Sequence, residues 1–215
     1  MVISMTVGQS IVNLPQNESA RMPEALTPAT RFQPPDVRRR QILDAAGRLA
    51  VERGLAETSI ARVAEAAGIA KGTIYLYFDS RQALIAGLQA DLWERMLKRP
   101  RALIADAALS WTERLAGTVE HWIHFEFEHH DLYHQVFHVA ATDTEEPWAK
   151  THTVLTEILK GGVDTGEFAI DDIGLTADFL LHAYSGPCYH GHHSGSREEL
   201  IRVVQRLFQK TVAAN

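Results

Sequence analysis

Residues 58–84, TSIARVAEAAGIAKGTIYLYFDSRQAL, constrain this chain more than any other stretch, because they alternate helix and turn signals at the spacing of a helix-turn-helix. Thr58 and Ser59 offer hydroxyls to cap a helix start. Ile60, Val63, Ala64 and Ala67 follow at helical spacing. Gly68 falls where a tight interhelical turn needs a residue without a Cβ. A second helix over 70–78 then opens with Lys71-Gly72-Thr73 and carries Tyr75 and Tyr77. A helix of this kind fits the DNA major groove, with its N-terminal side chains at the base edges.

Charge is divided along the chain in a way that suits such a module. The whole carries 21 Lys and Arg against 27 Asp and Glu, a net charge of −6. Residues 36–85 hold eight basic and six acidic side chains, a local +2, whereas residues from 86 onward hold 11 basic and 19 acidic, a local −8. A mildly basic module joined to an acidic one keeps the second part away from phosphate. Cys188 is the single cysteine, so no intrachain disulfide framework exists. No apolar run reaches membrane-spanning length and no secretory pattern opens the chain, so a soluble cytoplasmic protein with no membrane partner is expected.

Residues 1–35 read as a disordered tail, punctuated by Pro15, Pro23, Pro28, Pro34 and Pro35. Only Arg21 and Arg31 could make it a DNA-contacting arm. Asp36 is expected to cap a helix ending near Arg53, with Ile42, Leu43, Ala46, Leu49 and Ala50 inward and Gly54 as its stop. After the helix-turn-helix, helices are expected over 80–98 (ending before Pro100), 101–108, 110–129, 132–142, 146–165, 172–190 and 196–213. No useful length alternates with period two, so the fold class is all-α. Three divisions follow: the tail at 1–35, a DNA-binding head at 36–82, and a larger helical domain at 83–215, for which the family resemblance given next implies effector binding and dimerisation.

Over 37–88, about a quarter of the chain, these residues resemble the TetR family of bacterial transcription regulators. The shared string is Glu-Arg-Gly, Thr-Ser-Ile-x-x-Val-Ala-x-x-Ala-Gly-Ile, Lys-Gly-Thr-Ile-Tyr-x-Tyr-Phe and Ser-Arg-x-x-Leu. Ala61 departs from it, since an acid there would complete a capping box with Thr58. The resemblance implies a homodimer on double-stranded operator DNA, with a three-helix head and a helical body holding a small-molecule effector. It implies pairing of the last two helices with their mates. It also implies repression, relieved when a small organic effector releases a palindromic operator.

The DNA contacts expected are Ser59 and Arg62 on the supporting helix, Lys71, Gly72, Thr73, Tyr75 and Tyr77 on the recognition helix, and Arg81 at the start of the next. Lys71 can reach phosphate or a guanine edge, Gly72 permits close backbone approach, and Thr73 can donate to phosphate. The tyrosine hydroxyls suit phosphate oxygens, while Ile74 and Phe78 share the inward face.

Eleven histidines gather mostly in HWIHFEFEHHDLYHQVFH and CYHGHH. His130, His134 and His138 repeat at i, i+4, i+8, which would stack three imidazoles on one face of a continuous helix and offer a transition-metal site. No cofactor is required by any other motif. Glu126-x-x-His129 is one copy of a motif that a di-iron bundle needs twice, and no nucleophile–base or phosphate-loop motif occurs, so no enzyme is expected. An effector pocket is expected to draw on His121, Trp122, Phe125, His134, Phe137 and His182, an aromatic lining with imidazole anchors.

Overall fold

A computed structural model describes residues 33–139, 145–189 and 195–214, with the backbone alone at 138–139, 145–147, 185 and 187–189. The expectations for the tail before Gln33 and for His190, His192 and His193 lie outside the described residues. So do those for the side chains of His138 and Cys188. Among the described residues the regular structure is helical, apart from one isolated antiparallel bridge between Phe168 and Ala213.

Helix α1 (Pro35–Arg53) starts on a proline, which lacks the N–H that a first turn leaves unpaired. Its inward residues Ile42, Leu43, Ala46 and Leu49 pack on Ile60, Val63 and Ala64 of α2 (Ile60–Ala66). Ile74 of α3 (Lys71–Tyr75) and Phe78 join the same cluster. Ser59, not Thr58, caps α2: its Oγ accepts from Arg62 N at 3.3 Å, while Thr58 Oγ1 donates to Gly54 O. The absent acid at Ala61 therefore costs α2 nothing, since the cap lies one residue later. Gly68 turns the chain at φ +65°, and Gln41 Nε2 donates to Ala67 O at 2.6 Å, fixing that turn to α1. The recognition helix is shorter than expected, for residues 76–78 leave it as turns bonded back to Thr73 and Ile74.

Helix α4 (Arg81–Ala105) corrects the sequence reading, because it runs through Pro100 and absorbs the short helix expected over 101–108. A proline inside a helix removes the bond to the carbonyl four residues back, here Met96. That carbonyl is not left unpaired: His121 Nε2 lies 3.1 Å from Met96 O and takes the place of the missing N–H.

Helix α5 (Trp111–Tyr133) begins with a full capping box between Ser110 and Glu113. Glu167 adds a second cap, its carboxylate accepting from Trp111 N and Thr112 N at 3.0 Å each. In α6 (Glu145–Asp164) the pair Gly161-Gly162 is a packing device: a Cβ on Gly161 would fall 2.2 Å from the Trp111 ring, and one on Gly162 2.0 Å from Phe168. Helices α7 (Ile173–Tyr189) and α8 (Arg197–Val212) complete a body core that includes Leu115, Trp122, Leu155, Leu181, Val204 and Phe208.

The helix expected over 132–142 is instead a π-helical segment, His134–Val139, continuing α5. It joins head and body. Val136 is fully buried in the head cluster, Phe137 packs against both clusters, and Gln135 Oε1 accepts from Leu55 N at 3.1 Å. Gln89 Nε2 of α4 donates to Val136 O at 2.8 Å.

Candidate DNA interface and the polar ribbon of the body

Ile74 (0 % exposed) and Phe78 (4 %) anchor α3 to the head and so determine which of its residues face outward. Lys71, Gly72 and Tyr75 are exposed, Tyr75 at 46 %, and Thr73 is half-buried. Leu76 is 81 % exposed, an apolar side chain that hydrogen-bonding logic passes over but that suits a thymine methyl. Tyr77 is half-buried against the head cluster, so much of its ring serves the fold.

Three of the expected contacts are already engaged within the protein. Arg81 Nε donates to Thr58 O at 3.0 Å and its Nη2 to Leu55 O, which ties α4 to the chain entering α2. Ser59 Oγ is occupied as a cap acceptor but keeps its proton to donate. Arg62 is paired with Glu57, both partners largely exposed. Such a surface pair is worth at most about 1 kcal/mol, so Arg62 can exchange it for a phosphate at little cost. Lys71 has no hydrogen-bond or ion-pair partner among the described residues.

The body distributes the expected pocket residues differently. Trp122 is fully buried and Phe125 nearly so, and Phe137 packs on Trp93 with ring centroids 5.2 Å apart. His121 is taken up by the Pro100 repair, and burial lowers its pKa, keeping the imidazole neutral. His134 and His182 are exposed, so they do not line the core; His182 Nδ1 lies 2.8 Å from Asp178 O. The expected metal ladder presumed an unbroken α-helix, but the π segment begins at His134 and changes the residues per turn. Among the described residues no group of three or more His, Cys, Asp or Glu could hold a metal ion.

What the body holds instead is a ribbon of buried polar side chains on α5. Arg114, Thr118, Trp122 and Glu126 recur every four residues, each less than a tenth exposed. Arg114 Nε, Thr118 Oγ1 and Trp122 Nε1 are buried without a hydrogen-bond partner, as is Trp93 Nε1 on α4. Leaving such a group unpaired costs about 1–3 kcal/mol, so the ribbon is an expense that packing alone does not explain. The rest of the Arg114 guanidinium stacks 4.0 Å from the Trp111 ring, and its Nη2 donates to Asp106 O at 2.8 Å.

Glu126 ends the ribbon under Tyr184, whose hydroxyl lies 2.9 Å from both Trp122 O and Glu126 Oε2. One hydroxyl proton serves both contacts when Glu126 is itself protonated and donates to Tyr184. Burial raises the Glu126 pKa, against a smaller lowering from the Tyr184 bond and from His130, in keeping with that neutral form. The sequence signal for this ribbon was a polar residue at every fourth position inside an apolar stripe.

Comparison with known proteins settles the class. Residues 42–88 match the model of the bacterial regulatory proteins of the tetR family, the span from the first head helix into α4. Over that span the chain is similar to the tetR family. It is 28 % identical over 156 residues to the HTH-type transcriptional repressor KstR2 of Rhodococcus jostii, covering 66 % of this chain and 74 % of that one. It is 29 % identical over 121 residues to the fatty acid metabolism regulator protein of Bacillus subtilis, covering 56 % and 60 %. The solved structure of the fatty acid degradation regulator FadR from Bacillus halodurans superposes with a TM-score of 0.69 at 23 % identity, over 82 % of this chain and 96 % of that one. The chain is a DNA-binding transcription regulator. No helix among its described residues is long and apolar enough to cross a membrane.

Proposed function

We propose that this regulator represses transcription as a homodimer on a palindromic operator and is released by a small organic effector bound in the helical body. The observation that carries the DNA half is the anchoring of α3, whose buried Ile74 and Phe78 leave Lys71, Gly72, Tyr75 and Leu76 facing outward together. Lys71 supplies charge, Gly72 close approach, Tyr75 a hydroxyl for phosphate and Leu76 an apolar contact. The outward apolar residues of the last two helices support dimerisation. Leu175 and Phe179 on α7, and Val203 and Leu207 on α8, are exposed at i, i+4 spacing on each. A two-fold dimer presents two recognition helices to two half-sites.

The effector half is supported by the ribbon of unpartnered polar groups on α5. A relative named as a fatty acid metabolism regulator is consistent with an organic effector.

Fluorescence polarisation with DNA from upstream of the chain's own gene tests the reading. Lys71→Ala combined with Tyr75→Ala is expected to weaken binding roughly tenfold to a hundredfold, with unchanged helical circular dichroism. Unchanged affinity in that double variant would remove α3 as the reading element.

A further inference from the structure

We infer that Leu76 reads the C5 methyl group of a thymine at the middle of each operator half-site. This rests on α3 as the reading element, proposed above, and names the base feature that the helix recognises.

Helix geometry puts Leu76 at the centre of the outward face. Successive residues of an α-helix turn by about 100°. Leu76 caps α3 with φ −73° and ψ −14°, so it keeps the helical direction. Ile74, fully buried, marks the inward side. Gly72 and Leu76 each stand two residues from it, about 160° round the axis, and so straddle the line pointing straight out of the protein. Thr73 and Tyr75 lie about 100° from Ile74 on its two sides, and Lys71 about 60°. Exposure follows this wheel. Leu76 is 81 % exposed, the highest value among the exposed large apolar side chains of the described residues, while Thr73 is half-buried. A Cβ on Gly72 would meet nothing within 4 Å, so the surface beside Leu76 is open.

The middle of this face therefore offers no side-chain hydrogen bond, because Gly72 has no side chain and Leu76 carries only hydrocarbon. Lys71, Thr73 and Tyr75 stand to the flanks, where the phosphate walls of the groove run. Base edges in the major groove present donors and acceptors and one apolar feature, the thymine methyl. A leucine pressed on a donor or acceptor would strip its water and return no bond, which is unfavourable. Pressed on the methyl, it buries apolar surface on both sides.

The test uses the full-length protein and a duplex from upstream of its own gene, read by fluorescence polarisation. Each thymine is replaced in turn by deoxyuridine, which removes the methyl and leaves the pairing edge intact. One thymine in each half-site, the two related by the operator's two-fold symmetry, should weaken binding roughly three- to fivefold when replaced. Cytosine at that position should weaken it at least as much, and 5-methylcytosine should recover part of the loss. Leu76→Ala should lose a similar factor on the thymine duplex and bind the thymine and deoxyuridine duplexes equally. Leu76→Met should keep the preference. Both variants should retain the native circular dichroism, since the side chain is exposed.

The absence of a methyl-sensitive thymine in the half-sites would overturn the proposal, as would a methyl preference that survives Leu76→Ala. Failure here is separate from failure of α3 as the reading element. A duplex that the Lys71→Ala and Tyr75→Ala double variant releases, but whose thymine methyls make no difference to the native protein, removes the Leu76 contact alone.

Discussion

At the scale of single residues, His121 shows how a side chain that looks like chemistry can be structure. Its Nε2 stands in for the N–H that Pro100 lacks, so His121 and Pro100 are two halves of one hydrogen-bonding account. His121→Ala is expected to cost about 1–2 kcal/mol by orphaning Met96 O. Pro100→Ala restores a backbone donor to that carbonyl, so the double variant should recover about 1 kcal/mol, a coupling that urea denaturation of all four proteins measures. Glu126 gives a pH signature of known sign. Its pKa is raised in the folded state, so its stabilising share is full below the ordinary value of 4.5 and is lost as pH rises through the folded pKa. Stability of the native chain relative to Glu126→Gln should therefore fall as pH rises above 4.5, and parallel melting curves across that range check it. The outward residues of α3 and the inward pair Ile74 and Phe78 could be read from spacing alone. The engagement of Arg81 with Leu55 and Thr58 could not, because those partners come from a loop whose path periodicity does not describe.

Among the elements, helical character was legible throughout, but helix ends and the π-helical turn type at His134–Val139 were not. The caps at Ser80, Ser110 and Ser196 stand where the sequence offers a serine before a helical run, and each accepts from the backbone three residues on. Pro100 misled because the donor that repairs the helix comes from α5, and the π segment was missed because its cause is tertiary, the insertion of Val136 into the head core. Gly161-Gly162, inside α6, is the seat of two rings. Gly161→Ala raises helix propensity by up to about 1 kcal/mol yet puts a methyl into the Trp111 ring, so a net loss of about 1–3 kcal/mol is expected, read as a lower thermal midpoint. A gain in stability would mean that Trp111 moves aside freely.

For the molecule as a whole, the outer faces of α7 and α8 decide assembly. Phe179→Glu with Leu207→Glu places charges on the exposed apolar residues of both helices. The expected result is a monomer by light scattering, with operator affinity down by roughly a hundredfold or more as the second half-site contact is lost. A dimer that persists would place the interface elsewhere. Glu167 also acts across elements, holding the start of α5 from the segment after α6. Burial would raise its pKa, but the bonds from Trp111, Thr112 and Thr165 hold it below the usual range. The π segment has a larger consequence. Because Val136 completes the head cluster while Phe137 packs against both clusters, melting of either core removes buried partners from the other. Head and body are thus one cooperative unit of folding, and the recognition helix inherits its stability from a core it does not touch.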